Sequence, residues 1–206
     1  MKNVLKGLSM AVLALVAGCA TMQPVQLKAE TPNLNIAGKK ALKVAVVVQD
    51  PMAYTLFYRG VAGKYTRDMT PEMRSAGLAL ESELSRVSVE TFSQAFNQVV
   101  ALRDLPQPGQ YDAVVNLSIG KVLMQESVSV TGESCDTTAE WNMSVLDKQN
   151  KEVLSKKGVS PMHNFGWSAF NPRPGFSKGI TSVLSLIIPE LAKEWGTALY
   201  SLNLAP

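Results

Sequence analysis

Histidine is nearly missing from this chain: His163 stands alone, and there are only two cysteines, Cys19 and Cys135. A zinc centre built from His and Cys ligands is thereby disfavoured, as is most His-dependent catalysis. Familiar catalytic spacings are absent as well, with no Walker loop, no G-x-S-x-G, no C-x-x-C and no H-E-x-x-H. Charge of one sign is also scarce. The net charge of +3 owes most to Lys2 and Lys6; with the first 18 residues set aside, 18 cations stand against 17 anions, which gives no basic surface for a nucleic acid. Long apolar runs are wanting too. Leu8 to Ala17 is about half the length that a membrane-crossing helix needs. What is present, 46% hydrophobic residues over 206 positions, suits one compact domain.

The basic start Met1–Lys6, the short apolar core and the small residues after it have the pattern of a signal peptide over residues 1–18. Its end, Val16-Ala17-Gly18-Cys19, resembles the bacterial lipobox. That resemblance implies cleavage before Cys19 and acylation of its thiol and amine. Three acyl chains would exceed the two-signal threshold for stable membrane attachment. Ala20, where an inner-membrane retention signal would place Asp, resembles the pattern of lipoproteins delivered to the outer membrane. With Cys19 acylated, Cys135 is the remaining thiol and no intramolecular disulfide can form. Its polar surroundings, Gly132 to Thr137, predict an exposed position beside a hairpin turn.

Residues 19–40, with Pro24 and Pro32 and no sustained period, read as a lipidated cysteine and flexible tether able to span about 70 Å. The single domain expected over 41–206 opens with the apolar, β-branched strand Ala41–Gln49. Helical spacing runs from Leu78 to Leu102 through Leu80, Leu84, Phe92, Ala95, Phe96 and Val99. Strand signals follow at Tyr111–Ile119, where the apolar parity shifts at Gly120 and predicts a bulge, and then at Ala139–Val145 and Glu152–Val159. The charged last strand suits a sheet edge. A closing helix from Lys178 to about Leu202 carries Pro189, which predicts a kink or a split. The expected fold is α+β: a mixed four-stranded sheet in β-α-β-β-β-α order under two amphipathic helices.

Two connections, Pro51–Ala76 and Ser160–Ser177, concentrate the aromatic residues, and the strand directions predict that both leave the same end of the sheet. Tyr54, Phe57, Tyr58, Arg59, Phe165, Trp167 and Phe170 are the candidate residues of a rim that binds a partner or ligand, since Tyr, Trp, Phe and Arg dominate interface cores. The competing reading is that these aromatics fold back to cover the sheet. The tether is expected to enter at the other end, turning this rim away from the anchoring leaflet. His163 lies in a Pro- and Asn-rich stretch with no nucleophile motif. The carboxylate pairs Glu81 with Glu83 and Glu133 with Asp136 read as solvated faces and turn polarity.

The lipobox, the strand Val44–Val48, the strand opening Tyr111–Val115, the hairpin Leu146–Val153 and the closing helix resemble the small YajG-type outer-membrane lipoproteins. More loosely, they are similar to envelope lipoproteins with a domain like the N-terminal domain of TolB. The resemblance implies a periplasmic α+β domain and supplies no catalytic residues, cofactor or metal ligands. The expectation is a non-enzymatic outer-membrane lipoprotein, held to the membrane through Cys19, that docks an envelope protein partner and binds no nucleic acid. Carriage of a lipid or other apolar ligand is the first alternative, and an envelope hydrolase the second.

Overall fold

The structure, a computed structural model, describes residues 26–49, 55–59, 65–67, 71–129, 132–168 and 176–204. The β-branched run predicted as the first strand forms β1 (Lys40–Val48), buried from Val44 to Val48. Next come β2 (Thr55–Arg59), β3 (Tyr65–Arg67), helix α1 (Pro71–Phe92) and β4 (Phe96–Leu102). Two long strands follow, β5 (Ala113–Ser129) and β6 (Gly132–Asp147), then β7 (Glu152–Val159), β8 (His163–Ser168) and helix α2 (Phe176–Ser201).

A single antiparallel hairpin, β5 with β6, is the spine of the sheet, paired from Ala113↔Asp147 to Ser129↔Gly132. Each side of it is lined by two strands end to end. On the β5 side, β1 lies parallel to Ala113–Leu117 and β2 lies parallel to Lys121–Gln125. On the β6 side, β7 pairs with Glu140–Leu146 and β8 with Gly132–Thr137. The sheet therefore has a proximal tier, β4-β1-β5-β6-β7, and a distal tier, β3-β2-β5-β6-β8. The bulge predicted at Gly120 sits at the border, where the register slips between Ile119 and Lys121. Its extra residue moves the buried set from Ala113, Val115, Leu117 and Ile119 to Val122 and Met124, so one face stays apolar along the whole strand.

The α+β class and the two helices agree with the sequence, whereas four expected strands become eight among the described residues. Parts of the aromatic connections are strands β2, β3 and β8, and the helix expected from Leu78 already starts at Pro71; Thr55–Arg59, Tyr65–Arg67 and His163–Ser168 hold aromatic or β-branched residues that suit a ladder. The predicted helix over Leu78–Leu102 stops at Phe92. Ala95 N–H closes a turn on the Phe92 carbonyl at 2.8 Å, and β4 then pairs parallel with β1. Phe92, Ala95 and Phe96 are buried as the helical stripe required, but the last two face the core from the turn and the strand. Gly132–Ser134 belongs to β6 and not to a turn. Pro189 is held within one continuous α2. The charged β7 pairs only with β6 and is an edge, as its sequence predicts.

Both helices cover one face of the sheet. From α1 come Leu80, Leu84, Val87 and Phe92; from α2 come Val183, Leu184, Ile187, Leu191, Trp195 and Leu199, all buried. At the centre the rings of Trp141 and Trp195 meet edge to face, with centroids 5.8 Å apart and planes at 72°. Such a pair contributes about 0.5–1.5 kcal/mol beyond area burial. Trp141 lies flat beneath Gly158 of the edge strand, where a Cβ would stand 2.7 Å from Cζ2 of the indole.

The segment expected to be a flexible tether up to residue 40 is pinned over much of its second half. Glu83 accepts the Ala29 N–H at 2.5 Å, and Arg86 donates to the Ala29 carbonyl at 2.6 Å. Gln94 accepts the Leu34 N–H at 3.0 Å and donates to the Pro32 carbonyl at 2.8 Å. Ala29 and Leu34 are buried, and Leu34 is seated against the bare Cα of Gly196. Two clamps, Glu83 with Arg86 on α1 and Gln94 in the turn that follows it, therefore hold the backbone of this strap at both its N–H and its C=O groups. The hydrogen bond from Arg86 holds the Glu83 carboxyl below its ordinary range, with the Ala29 N–H adding to the effect, against an opposing contribution from burial. Glu90 is likewise lowered, first by the Thr31 hydroxyl and then by Arg86.

Gly158→Ala is expected to displace Trp141 and lower stability by about 1–3 kcal/mol, read as a lower urea midpoint with a changed near-ultraviolet tryptophan signal; an unchanged midpoint would refute the close packing. A folded-state carboxylate pKa below the unfolded one stabilises above the ordinary carboxylate range, and that contribution is lost as pH falls through the folded value. The hydrogen-exchange protection factor of the Ala29 amide should therefore fall on acidification before that of Leu34, whose acceptor is the neutral Gln94. Simultaneous loss at both amides would show that the strap opens as one unit instead.

Candidate functional site

The residues singled out by sequence divide between the two sides of the β5–β6 hairpin in the distal tier, on β2, which lies between β3 and β5, and on β8. Phe57, Tyr58 and Arg59 belong to β2 and stand opposite Leu123, Met124 and Gln125 of β5. Phe165 and Trp167 belong to β8 and stand opposite Cys135 and Glu133 of β6. Tyr54, Phe170 and the lipidation candidate Cys19 lie outside the described residues. The expectation that both aromatic segments occupy the same end of the sheet is met by this register. They are not neighbours, however. Two strands separate β2 from β8, about 14 Å at the usual strand spacing. Phe165 is half-buried and packs on the central core, the behaviour of an aromatic that covers the sheet.

The β6 register carries Cys135, Thr137, Ala139, Trp141, Met143 and Val145 on the helix-covered side, all buried. Cys135 is 1% exposed, not the surface thiol that its polar neighbours predict. Strand alternation explains this: Ser134 and Asp136 occupy the other face, and a polar run with period two still delivers every second residue to the core. Asp136 accepts a hydrogen bond from the Asn164 side chain at 2.6 Å.

His163 begins β8 opposite Thr137, and its Nε2 lies 2.8 Å from Oε2 of Glu190 on α2. The pair ties the edge of the sheet to the helix. Ser160, three residues earlier, accepts the Ala139 N–H at 2.9 Å and donates its hydroxyl hydrogen to the Pro161 carbonyl at 3.0 Å, so it is engaged away from His163. Among the described residues no group of three or more His, Cys, Asp or Glu is placed to hold a metal ion. Of the paired carboxylates, Glu83 belongs to the strap clamp.

One feature escapes the sequence reading. Between α2 and the β7 edge runs an open groove of about 650 Å³ lined by Lys156, Pro161, Glu190, Leu191, Glu194 and Ala198. Nearby in sequence, where β7 gives way to β8, Val159 is 60% and Met162 66% exposed. The pattern lacks a motif because a helix and a strand remote in sequence supply its walls. Pro161 was the one available signal, since proline in an edge strand marks an interruption of the ladder.

No family model matches the chain, and no curated protein sequence matches it. Among solved structures, the chain is similar to protein XCC0632 of the DUF330 family from Xanthomonas campestris, with a TM-score of 0.52, 10% identity, and 85% of this chain and 93% of that chain covered. A homologue of neuraminyllactose-binding hemagglutinin from Helicobacter pylori gives a TM-score of 0.49 at 12% identity, covering 85% of this chain and 92% of that one. A minor lipoprotein from Acinetobacter baumannii gives 0.38 at 9% identity, covering 81% and 96%. The Xanthomonas likeness shows a shared fold. No described helix is long and apolar enough to cross a membrane.

Burial of Cys135 predicts that iodoacetamide modifies it slowly in the folded domain and rapidly in the urea-unfolded domain, read by mass spectrometry. Equal rates in the two states would place the thiol at the surface.

Proposed function

We propose that the chain is a bacterial lipoprotein, acylated at Cys19 and carried to the outer membrane, whose α+β domain faces the periplasm and docks a protein partner of the cell envelope. The observation that carries the reading is the coincidence of a basic start, a short apolar core and Val16-Ala17-Gly18-Cys19. Ala20 and the YajG-type resemblance support the outer membrane as destination. Among the described residues His163 faces Glu190, and the nearby Ser160 hydroxyl donates to the Pro161 carbonyl and not to the imidazole, so the pair has no nucleophile in Ser160. We read the domain as a binding module and not as an enzyme.

Docking is assigned to the distal tier and the β7–β8 edge. The aromatic strands β2 and β8 flank the β5–β6 hairpin from its two sides, β2 inside the short β3, and the exposed Val159 and Met162 mark the interruption beside β8. Tyr, Trp, Phe, Met and Arg are the residue types enriched where partners bury surface. The open groove beside α2 favours a second reading, carriage of an apolar ligand, because its lining includes Leu191, Pro161 and Ala198.

Cys19→Ser is expected to abolish palmitate incorporation and release the protein from the membrane fraction; unchanged labelling would refute the anchoring. Tyr58→Ala combined with Trp167→Ala should remove the partner recovered by in-cell crosslinking while shifting Tm by only a few degrees. A collapse of folding would assign these rings to the core. A lipid that copurifies with the delipidated domain in native mass spectrometry would favour the carrier reading.

A further inference from the structure

The docked strap fixes how far the fold stands from its anchor and which side faces it. Leu27 packs against the core and Ala29 is clamped level with Glu83 and Arg86, midway along α1 on the helical layer. Seven residues lie between Cys19 and Leu27, so the eight Cα-to-Cα steps reach at most about 26 Å at roughly 3.3 Å each. A tether flexible to residue 40 would reach about 70 Å and exceed the length of β6, about 53 Å for its 16 residues; any face of the body would then meet the lipid.

From the strap to the outer sheet face, a chain must pass a helix about 10 Å thick and a sheet about 10 Å beyond it, and then travel around an edge half the sheet's width away. That path is longer than 26 Å. We infer that the strap brings the helical layer toward the lipid surface and turns the outer sheet face, with Asn142 and Ser144, away from it. This rests on the anchoring at Cys19 proposed above. It also revises the expectation of an entry at the end opposite the aromatic rim: the strap runs back along α1, so Leu27 lies midway between the two ends. The distal tier is then lateral to the membrane, with its outer face open to a partner.

Besides the backbone clamps and the Thr31–Glu90 hydrogen bond, the strap places Ala29 and Leu34 in the hydrophobic core with Leu27 and Ile36 packed against it, so its docking is part of the fold. The strap and the exposed flank of α1 carry Lys28 and Arg86 against Glu30, Glu81 and Glu90. This mixed charge gives no electrostatic adhesion to an anionic bilayer, and the leash length is what sets the orientation.

The test uses the full lipidated chain in vesicles of phosphatidylethanolamine and phosphatidylglycerol with an acceptor dye on the headgroups. A donor is attached at Ser82→Cys on α1 or at Asn142→Cys on the outer sheet face, both exposed positions, in a Cys135→Ala background. Energy transfer from position 82 should exceed that from position 142 roughly twofold, given about 20 Å of intervening helix and sheet. Ten Gly and Ser residues inserted between Gln26 and Leu27, outside the packed fold, should erase the difference. Arg86→Ala with Gln94→Ala, which removes three of the strap's hydrogen bonds, should reduce the difference by loosening it. Equal transfer from the two sites before insertion, or a bias that survives insertion, overturns the inference while leaving the anchoring intact. A chain that carries no palmitate and does not bind the vesicles overturns the anchoring itself, and the orientation falls with it.

Discussion

The continuous pairing of β5 with β6 is the constraint on which the rest of the molecule depends. A hairpin of this length outruns any single neighbouring strand, so each flank is completed by two strands in succession. The arrangement works only if one face stays apolar throughout, and the slip at Gly120 is what reconciles the pattern on either side of it. Without the bulge, Val122 and Met124 would turn to the outer face and the distal tier would lose its buried side. The aromatic strands β2 and β8 hold their positions because that tier exists.

On the covered face, the two tryptophans connect the spine to α2, and a glycine in the edge strand lets the indole of Trp141 lie beneath the β7 backbone. Both indole N–H groups are buried without an acceptor among the described residues. Such groups cost roughly 1–3 kcal/mol each, which the extensive ring packing offsets. The strap uses the opposite chemistry. Charged groups of α1 and the amide of Gln94 in the turn after it satisfy its backbone, while Ala29 and Leu34 enter the core. A segment held in this way limits where a chain attached to its start can go.

Legibility of the sequence follows the range of the interaction. Gly120, the turn at Asp147–Asn150, the charged edge β7 and the apolar stripe of α2 were readable because each is written in consecutive residues. The turn rests on Asp147 accepting the N–H groups of Gln149 and Lys151, with Asn150 at φ 60°. β4 was misread because Phe92, Ala95, Phe96 and Val99 fit a helical stripe as well as a turn followed by a strand, and pairing with β1 broke the tie. β2 and β8 were read as loops because a prominent proline or glycine obscured short ladders whose partners lie far along the chain. The strap was unreadable for the same reason, since its clamps reach 54 to 62 residues across the sequence.

The sequence by itself determined the α+β class, the two amphipathic helices and the residue at which the long strand changes face. Each of these depends on local covalent geometry or on a period of two or 3.6, which consecutive side chains record directly. Tertiary structure alone decided that the aromatic segments flank one hairpin from opposite sides, that Cys135 is interior, and that the strap through Ala29 and Leu34 docks on α1, Gln94 and Gly196. These depend on which distant backbone groups meet, and chain order does not encode that meeting until the sheet has closed around its spine.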